Sequence, residues 1–297
     1  MRSSSRVIVL ASLPFFLTAC DFLDSDDRIG QFYFTNSAEL PLEFKIDDRT
    51  FSVKRNEVGM VDLKPGKHIL ETTKGKKQSF FVYPQNKGGI INPNRELYYA
   101  YNMMYVVGDY ENKHIPRGKE VVIDGMIFEG GIRSSDSVFI DNNAFHCSYQ
   151  LGMPLPDEIT IRDEKMKQAV RTKCFSKQEF IGFYEKESGE KFSSPNDPDS
   201  LYSNENTVTD QFYYQIPTAN FSDPILQKDA TELVSLIKDY IRSDSVTEQE
   251  ELRKKHTDII MHRLNRDDSN FDVKERVKFE KLCNQVNDII AAGIIAK

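Results

Sequence analysis

The side chains that could attack, ligate or shuttle protons in this chain are four cysteines (Cys20, Cys147, Cys174, Cys283) and five histidines (His68, His114, His146, His256, His262). Their spacing argues against a metal centre. There is no Cys-x-x-Cys, and His146 and Cys147 are adjacent, whereas zinc ligands must be spaced to converge on one ion. His256 and His262 fall on different sides of a helix, and neither sits in a His-Glu-x-x-His arrangement. Ser134, Ser135 and Ser137 have no assignable base, and a hydroxyl is a weak nucleophile without one. The chain lacks a Gly-x-Ser-x-Gly elbow, a Walker loop and a Gly-x-Gly-x-x-Gly turn. Asp268-x-Asn270-x-Asp272 opens like a calcium loop. Val273 then stands where such a loop requires glycine, and Phe279 where it requires glutamate, so the segment reads as an acidic helix start. Asp197, Asp199 and Glu205 read as a solvated loop. Among 46 acidic residues no carboxylate pair stands out as an acid–base couple. These observations predict no catalytic site, no metal and no cofactor.

Aromatic side chains offer binding instead. In the run Leu97–Val107, strand alternation puts Tyr99, Tyr101 and Tyr105 on one face and Tyr98 on the other. That makes the three a candidate surface for stacking sugar or peptide, and core packing is the competing use of aromatic residues in a strand. The net charge is −7, from 39 basic and 46 acidic residues. An acidic chain without clustered Lys and Arg is unsuited to nucleic acid.

The elements that must carry these residues divide the chain. Residues 31–185 read as mainly β. Leu42, Phe44 and Ile46 alternate with Glu43 and Lys45, and Phe51 and Val53 continue the period after an Asp47-Asp48 turn. Pro65-Gly66 predicts a type II turn closing a hairpin, Lys74-Gly75 another turn, and Asp124-Gly125 a tight type I′ hairpin. Met166, Val170 and Phe175 predict a short helix, and Ser176 with Glu179 a capping box. Residues 186–221 form a polar linker. Residues 222–297 are helical, starting at Asp223-Pro224, at a Thr247–Glu250 capping box and at Asp272. The fold class is α+β: an N-terminal antiparallel β-sandwich-like part, then a C-terminal helical part.

The N-terminus carries the most specific signal. Arg2 and Arg6 precede an apolar run from Val7 to Leu17, too short to span a bilayer, and Leu17-Thr18-Ala19-Cys20 closes it. This resembles the lipobox of bacterial lipoproteins. The resemblance implies removal of residues 1–19 and lipidation of Cys20. Two or three acyl chains, at about 0.8 kcal/mol per buried CH₂, hold a protein on a membrane indefinitely. Residues 20–30 then form an acidic tether. Asp21 is similar to the enterobacterial signal for retention in the inner membrane, facing the periplasm, although Phe22 is not among the residues that reinforce it. In that oxidising compartment Cys147 and Cys174 are expected to pair, with pairings to Cys283 left open.

The stretch 41–71, with Ile46-Asp47-Asp48 and Asp62–Leu70 (DLKPGKHIL), resembles the PEGA-type β-domain of bacterial envelope proteins, although Pro-Glu-Gly-Ala itself is absent. That implies a small immunoglobulin-like sandwich and no activity. The whole layout is similar to lipoprotein immunity factors that neutralise periplasm-directed toxins. It implies a non-enzymatic protein-binding role, to which a basic partner would be the complement. An assembly lipoprotein of an envelope complex, and a hydrolase of envelope polymers, are the alternatives.

Overall fold

The computed structural model describes residues 29–106, 120–128, 130–160, 168–192, 209–212, 214–264 and 271–297. Cys20, Asp21, His114, Asp268 and the acids at 197, 199 and 205 lie outside the described residues.

The architecture is α+β and layered. β2 (Leu42–Ile46) and β3 (Arg49–Val53) form a hairpin through Asp47, at φ 53°. Together with β5 (Gly66–Thr72), β6 (Lys77–Val82) and β14 (Ile294–Ala296) they make a five-stranded antiparallel sheet in the order β14-β6-β5-β2-β3. Facing it is a four-stranded sheet of β12 (Phe139–Asp141), β7 (Gly89–Ile91), β1 (Gln31–Thr35) and β4 (Val58–Asp62), in which β1 and β7 run parallel. Phe32, Phe34, Val61 and Ile91 from the second sheet meet Phe44, Ile46, Phe80 and Val82 from the first in the sandwich core. Period-two burial in β2, with Leu42, Phe44 and Ile46 in and Glu43 and Lys45 out, is the alternation read from sequence.

Each sheet also buries part of its other face, the five-stranded one at β6 and β14 and the four-stranded one at β1, β7 and β12. Phe81, Tyr83 and Ile295, on the far face of the five-stranded sheet, pack under three helices. These are α3 (Pro224–Arg242), α4 (Val246–Leu264) and α5 (Val273–Ala291). Tyr83 and Tyr240 of α3 stack at 4.8 Å. Tyr33, Ile90 and Ile140, on the far face of the four-stranded sheet, pack against a three-stranded sheet of β11 (Ile132–Ser135), β8 (Tyr98–Val106) and β13 (Gln168–Ser176). The outermost layer is α2 (Lys177–Ser188) with the hairpin β9 (Val121–Ile123) and β10 (Met126–Phe128). Asp124 (φ 47°) and Gly125 (φ 83°) both take the positive angles a type I′ turn demands.

Three local expectations are corrected. Pro65-Gly66 closes no hairpin: β4 pairs with β1 and β5 with β6 and β2, so the segment carries the chain between sheets. Residues 168–176 are a strand, because all nine residues pair with β8 and tertiary pairing overrides local spacing. α4 starts earlier than Thr247, with Ser245 Oγ accepting from Glu248 N–H (3.3 Å). Caps at Asp223 and Asp272 form as read; at Ser176 the hydroxyl caps Glu179 N–H, while the Glu179 carboxylate accepts from Lys173 and Gly152 N–H instead of closing the box. The helical region also ends in a strand, since Ile294–Ala296 return to β6.

One ion cluster ties that strand to the helices. Lys297 Nζ donates to Ser243 O (2.6 Å) and Asp244 Oδ1 (2.7 Å), while Lys67 Nζ donates to Asp244 Oδ2 (2.8 Å). The bonds from Lys297 and then Lys67 hold Asp244 down to about 2. A lowered carboxylate contributes stability above its unfolded value near 4, lost as pH falls toward 2. Asp244→Asn should therefore lower the thermal midpoint at neutral pH, with the difference fading between about pH 4 and 2 and shrinking in salt. Equal midpoints at pH 7 would remove the cluster from the stabilising contacts.

Candidate functional site

The candidate tyrosines separate by depth along β8. Tyr98 faces the four-stranded sheet, and Tyr99 and Tyr101 face α2, as alternation requires. Tyr99, however, is 1 % exposed and belongs to the core, so it is not a binding surface. The reason is α2: its Phe180 ring lies 5.7 Å from Tyr99 and 6.1 Å from Tyr101, and Phe183 lies 5.6 Å from Tyr101. Burial drives the Tyr99 and Tyr101 phenols well above their ordinary range. Tyr105, beyond the helix, lines an open groove and donates to Pro156 O (2.7 Å).

That groove, about 530 Å³, runs between the end of the β8–β13 ribbon, α2 and the 152–157 loop. Met103, Tyr105, Met153, Leu155 and Phe183 form its apolar walls. Lys173 is buried within it and fully satisfied. Its Nζ donates to Glu179 Oε1 (2.6 Å), Gln150 O (3.1 Å) and Cys174 O (3.1 Å), and lies 4.5 Å from the Phe175 ring centre. Burial lowers its pKa, opposed by Glu179. With every donor engaged, Lys173 is a brace and not a free nucleophile. Behind the ribbon, on its opposite face, Cys147 and Cys174 form a disulfide with Cα atoms 5.5 Å apart. Cys283 is the free thiol among the described residues and is buried on α5, accepting from Arg263 Nη1 (3.0 Å).

A second opening, a cleft of about 750 Å³, lies where β12, the 209–215 segment and the end of α5 meet. Asp141 forms its floor. It caps the short α1 (Asn142–Phe145) by accepting from Asn143 N–H (2.9 Å), and it also accepts from Gly293 N–H (2.8 Å) and Tyr214 O–H (3.3 Å). Glycine is required at 293, since a Cβ there would meet Asn86 Cα at 2.9 Å. Burial pushes Asp141 up to about 6, against the pull of these donors. On one wall Arg133 donates to Ala144 O (3.1 Å) and Phe145 O (2.6 Å), with Asp210 at 3.6 Å. Burial, then Arg133 and Lys87, hold the exposed His146 imidazole below its usual range. Asp288, Gln285 and Gln215 line the opposite side and the mouth.

The cleft had no sequence signature, because Asp141, Tyr214 and Asp288 are far apart in the chain. Asp141 before Asn142-Asn143 is the one local hint, as a cap. His68 lies 2.7 Å from Asp47 Oδ2 and 2.8 Å from Lys64 O at a turn, and His256 is buried in the helical core beside Asn287. Ser135 Oγ donates to Asp210 O (2.6 Å) and holds the 209–215 segment on β11. Among the described residues no three His, Cys, Asp or Glu side chains converge as a metal site, and no helix is long and apolar enough to cross a membrane. Comparison with known proteins finds no family model, no curated protein and no solved structure that matches this chain.

Proposed function

We propose that this chain is a lipid-anchored protein of the bacterial envelope, tethered through Cys20 on the periplasmic face of the membrane, that acts by binding another protein; the form we favour is neutralisation of a periplasm-directed toxin. The observation that carries the binding role is the open groove at Tyr105. Methionine and aromatic side chains line it on a ribbon stiffened from behind by the Cys147–Cys174 disulfide. Adaptable thioethers beside rigid rings are the side chains that protein interfaces favour. The disulfide also suits an oxidising compartment, and so supports the export that the lipobox implies.

Two measurements test this. Cys20→Ala should leave the full chain unlipidated and released from membranes by high salt; complete retention under those conditions would sink the anchor assignment. Cross-linking of the lipidated full chain in its own membranes, followed by mass spectrometry, should recover one stoichiometric secreted partner. Subunits of an envelope complex would replace neutralisation with assembly, and no protein partner would overturn the binding role.

A further inference from the structure

The cleft above Asp141 has a definite electrostatic sign. Arg133, its cation, is already engaged by two carbonyl oxygens and Asp210. Across from it Asp288 lies in the last turn of α5, and the described residues give it no cation partner. That position is unfavourable by itself. The C-terminal end of a helix carries partial negative charge, so a carboxylate there is disfavoured where a Lys or Arg would stabilise. α5 has no basic residue in its last turn. The last turn of α5 thus places negative potential at the cleft wall with no basic residue of its own turn to offset it. Gln215 and Gln285 add uncharged amides to the lining, and Tyr214 adds an aromatic ring. A carboxylate and a ring face are partners a guanidinium uses, through N–H donation in its plane and cation–π contact across it.

We propose that this cleft receives an arginine side chain of the protein partner, with Asp288 as its ion-pair acceptor. The inference rests on the protein-binding reading above and assigns that partner a basic contact residue. The net charge of −7 would draw such a partner to the surface before contact.

The probe is N-acetylarginine amide, compared with N-acetylcitrulline amide, its uncharged near-isostere, at matched ionic strength. Both are added to the full lipidated chain in detergent while thermal unfolding is followed. Arginine amide at about ten times its Kd should raise the midpoint by about 3 °C or more, and citrulline amide should not. Asp288→Asn should abolish the rise without lowering the midpoint of the unliganded chain, since it removes a charge from the wrong end of the helix dipole. A purely structural Asp288 would instead lower that midpoint. Equal shifts from the two probes, or a shift that survives Asp288→Asn, would overturn the assignment. The parent reading fails separately. If a partner is captured and Asp288→Lys leaves its capture unchanged, the cleft assignment falls and the binding role stands. If arginine amide binds through Asp288 and no protein is captured, the cleft stands as a guanidinium site and the binding role falls.

Discussion

Asp141→Ala should lower the thermal unfolding midpoint by about 10 °C, the largest loss expected from a single side chain here. The carboxylate receives Asn143 N–H, Gly293 N–H and Tyr214 O–H, three donors from three segments distant in sequence. Removing it leaves at least the Gly293 N–H buried without a partner and strips α1 of its cap. An orphaned buried donor costs about 1–3 kcal/mol and a lost cap about 1 kcal/mol, so the total is about 2–4 kcal/mol. A chain of this size loses about 2–4 °C per kcal/mol. Asp141→Asn should cost less, because one oxygen still accepts while the amide NH₂ faces a donor. Its pH dependence has a defined sign. Burial raises the folded-state value from 3.8 to about 6. Between those values the folded chain holds a proton that the unfolded chain has released, so this contribution is present at low pH and lost as pH rises through about 6. The midpoint gap between wild type and Asp141→Asn should therefore narrow from pH 4 to pH 6.5. A constant gap would place the titration elsewhere, and an Asp141→Ala midpoint within 2 °C of wild type would remove the residue from the fold's main ties.

The second large effect belongs to the disulfide. Cys147 and Cys174 are 27 residues apart, and in the chain-entropy model a closed loop of that length stabilises by about 3.5 kcal/mol. Replacing both by alanine should lower the midpoint by about 7–12 °C, and a reducing agent should do the same to the wild type and nothing to the double variant. The contacts across the loop explain why the loss is not larger. Tyr149 pairs with Lys173, Cys174 N–H donates to Tyr149 O (2.8 Å), and Lys173 is locked by Glu179, so the reduced chain retains much of the local geometry. A double variant within 1 kcal/mol of wild type would mean that these bonds suffice without the sulfur link.

What the sequence made legible was what lies close along the chain. The β2–β3 hairpin, the Asp124-Gly125 turn and the caps of α2, α3 and α5 follow from neighbours within a turn or two. β13 was misread because Met166 and Val170, four apart, suit a helix turn, and the partner that decides for a strand is Tyr98–Val106, far upstream. Pro65-Gly66 suits a hairpin and a crossing between sheets equally well; the choice is made by β1, which takes β4 away from β5. The tyrosine alternation was right and exposure failed at Tyr99, because its covering by Phe180 is a fact about α2. The cysteine pair was legible through the oxidising compartment that the lipobox resemblance implies, since no local pattern brings the two residues together. The cleft around Asp141 and Asp288 was illegible for the same reason: its floor, strap and wall are each ordinary until the fold joins them.

The joining of β14 to β6 also bears on how the chain folds. Ser79 and Lys297, bonded to each other at the end of that seam, are 218 residues apart. Closing so long a loop costs entropy before any ladder bond forms, and sheets held by distant pairings assemble in milliseconds to seconds. Until Ile294–Ala296 dock, β6 is a bare edge with Phe80 and Val82 on one side and Phe81 on the other. Such an edge is a template for any other extended chain nearby. A newly made molecule whose last strand has not yet docked has a central sheet one strand short, and crowding with its own copies in that interval offers a route to aggregation.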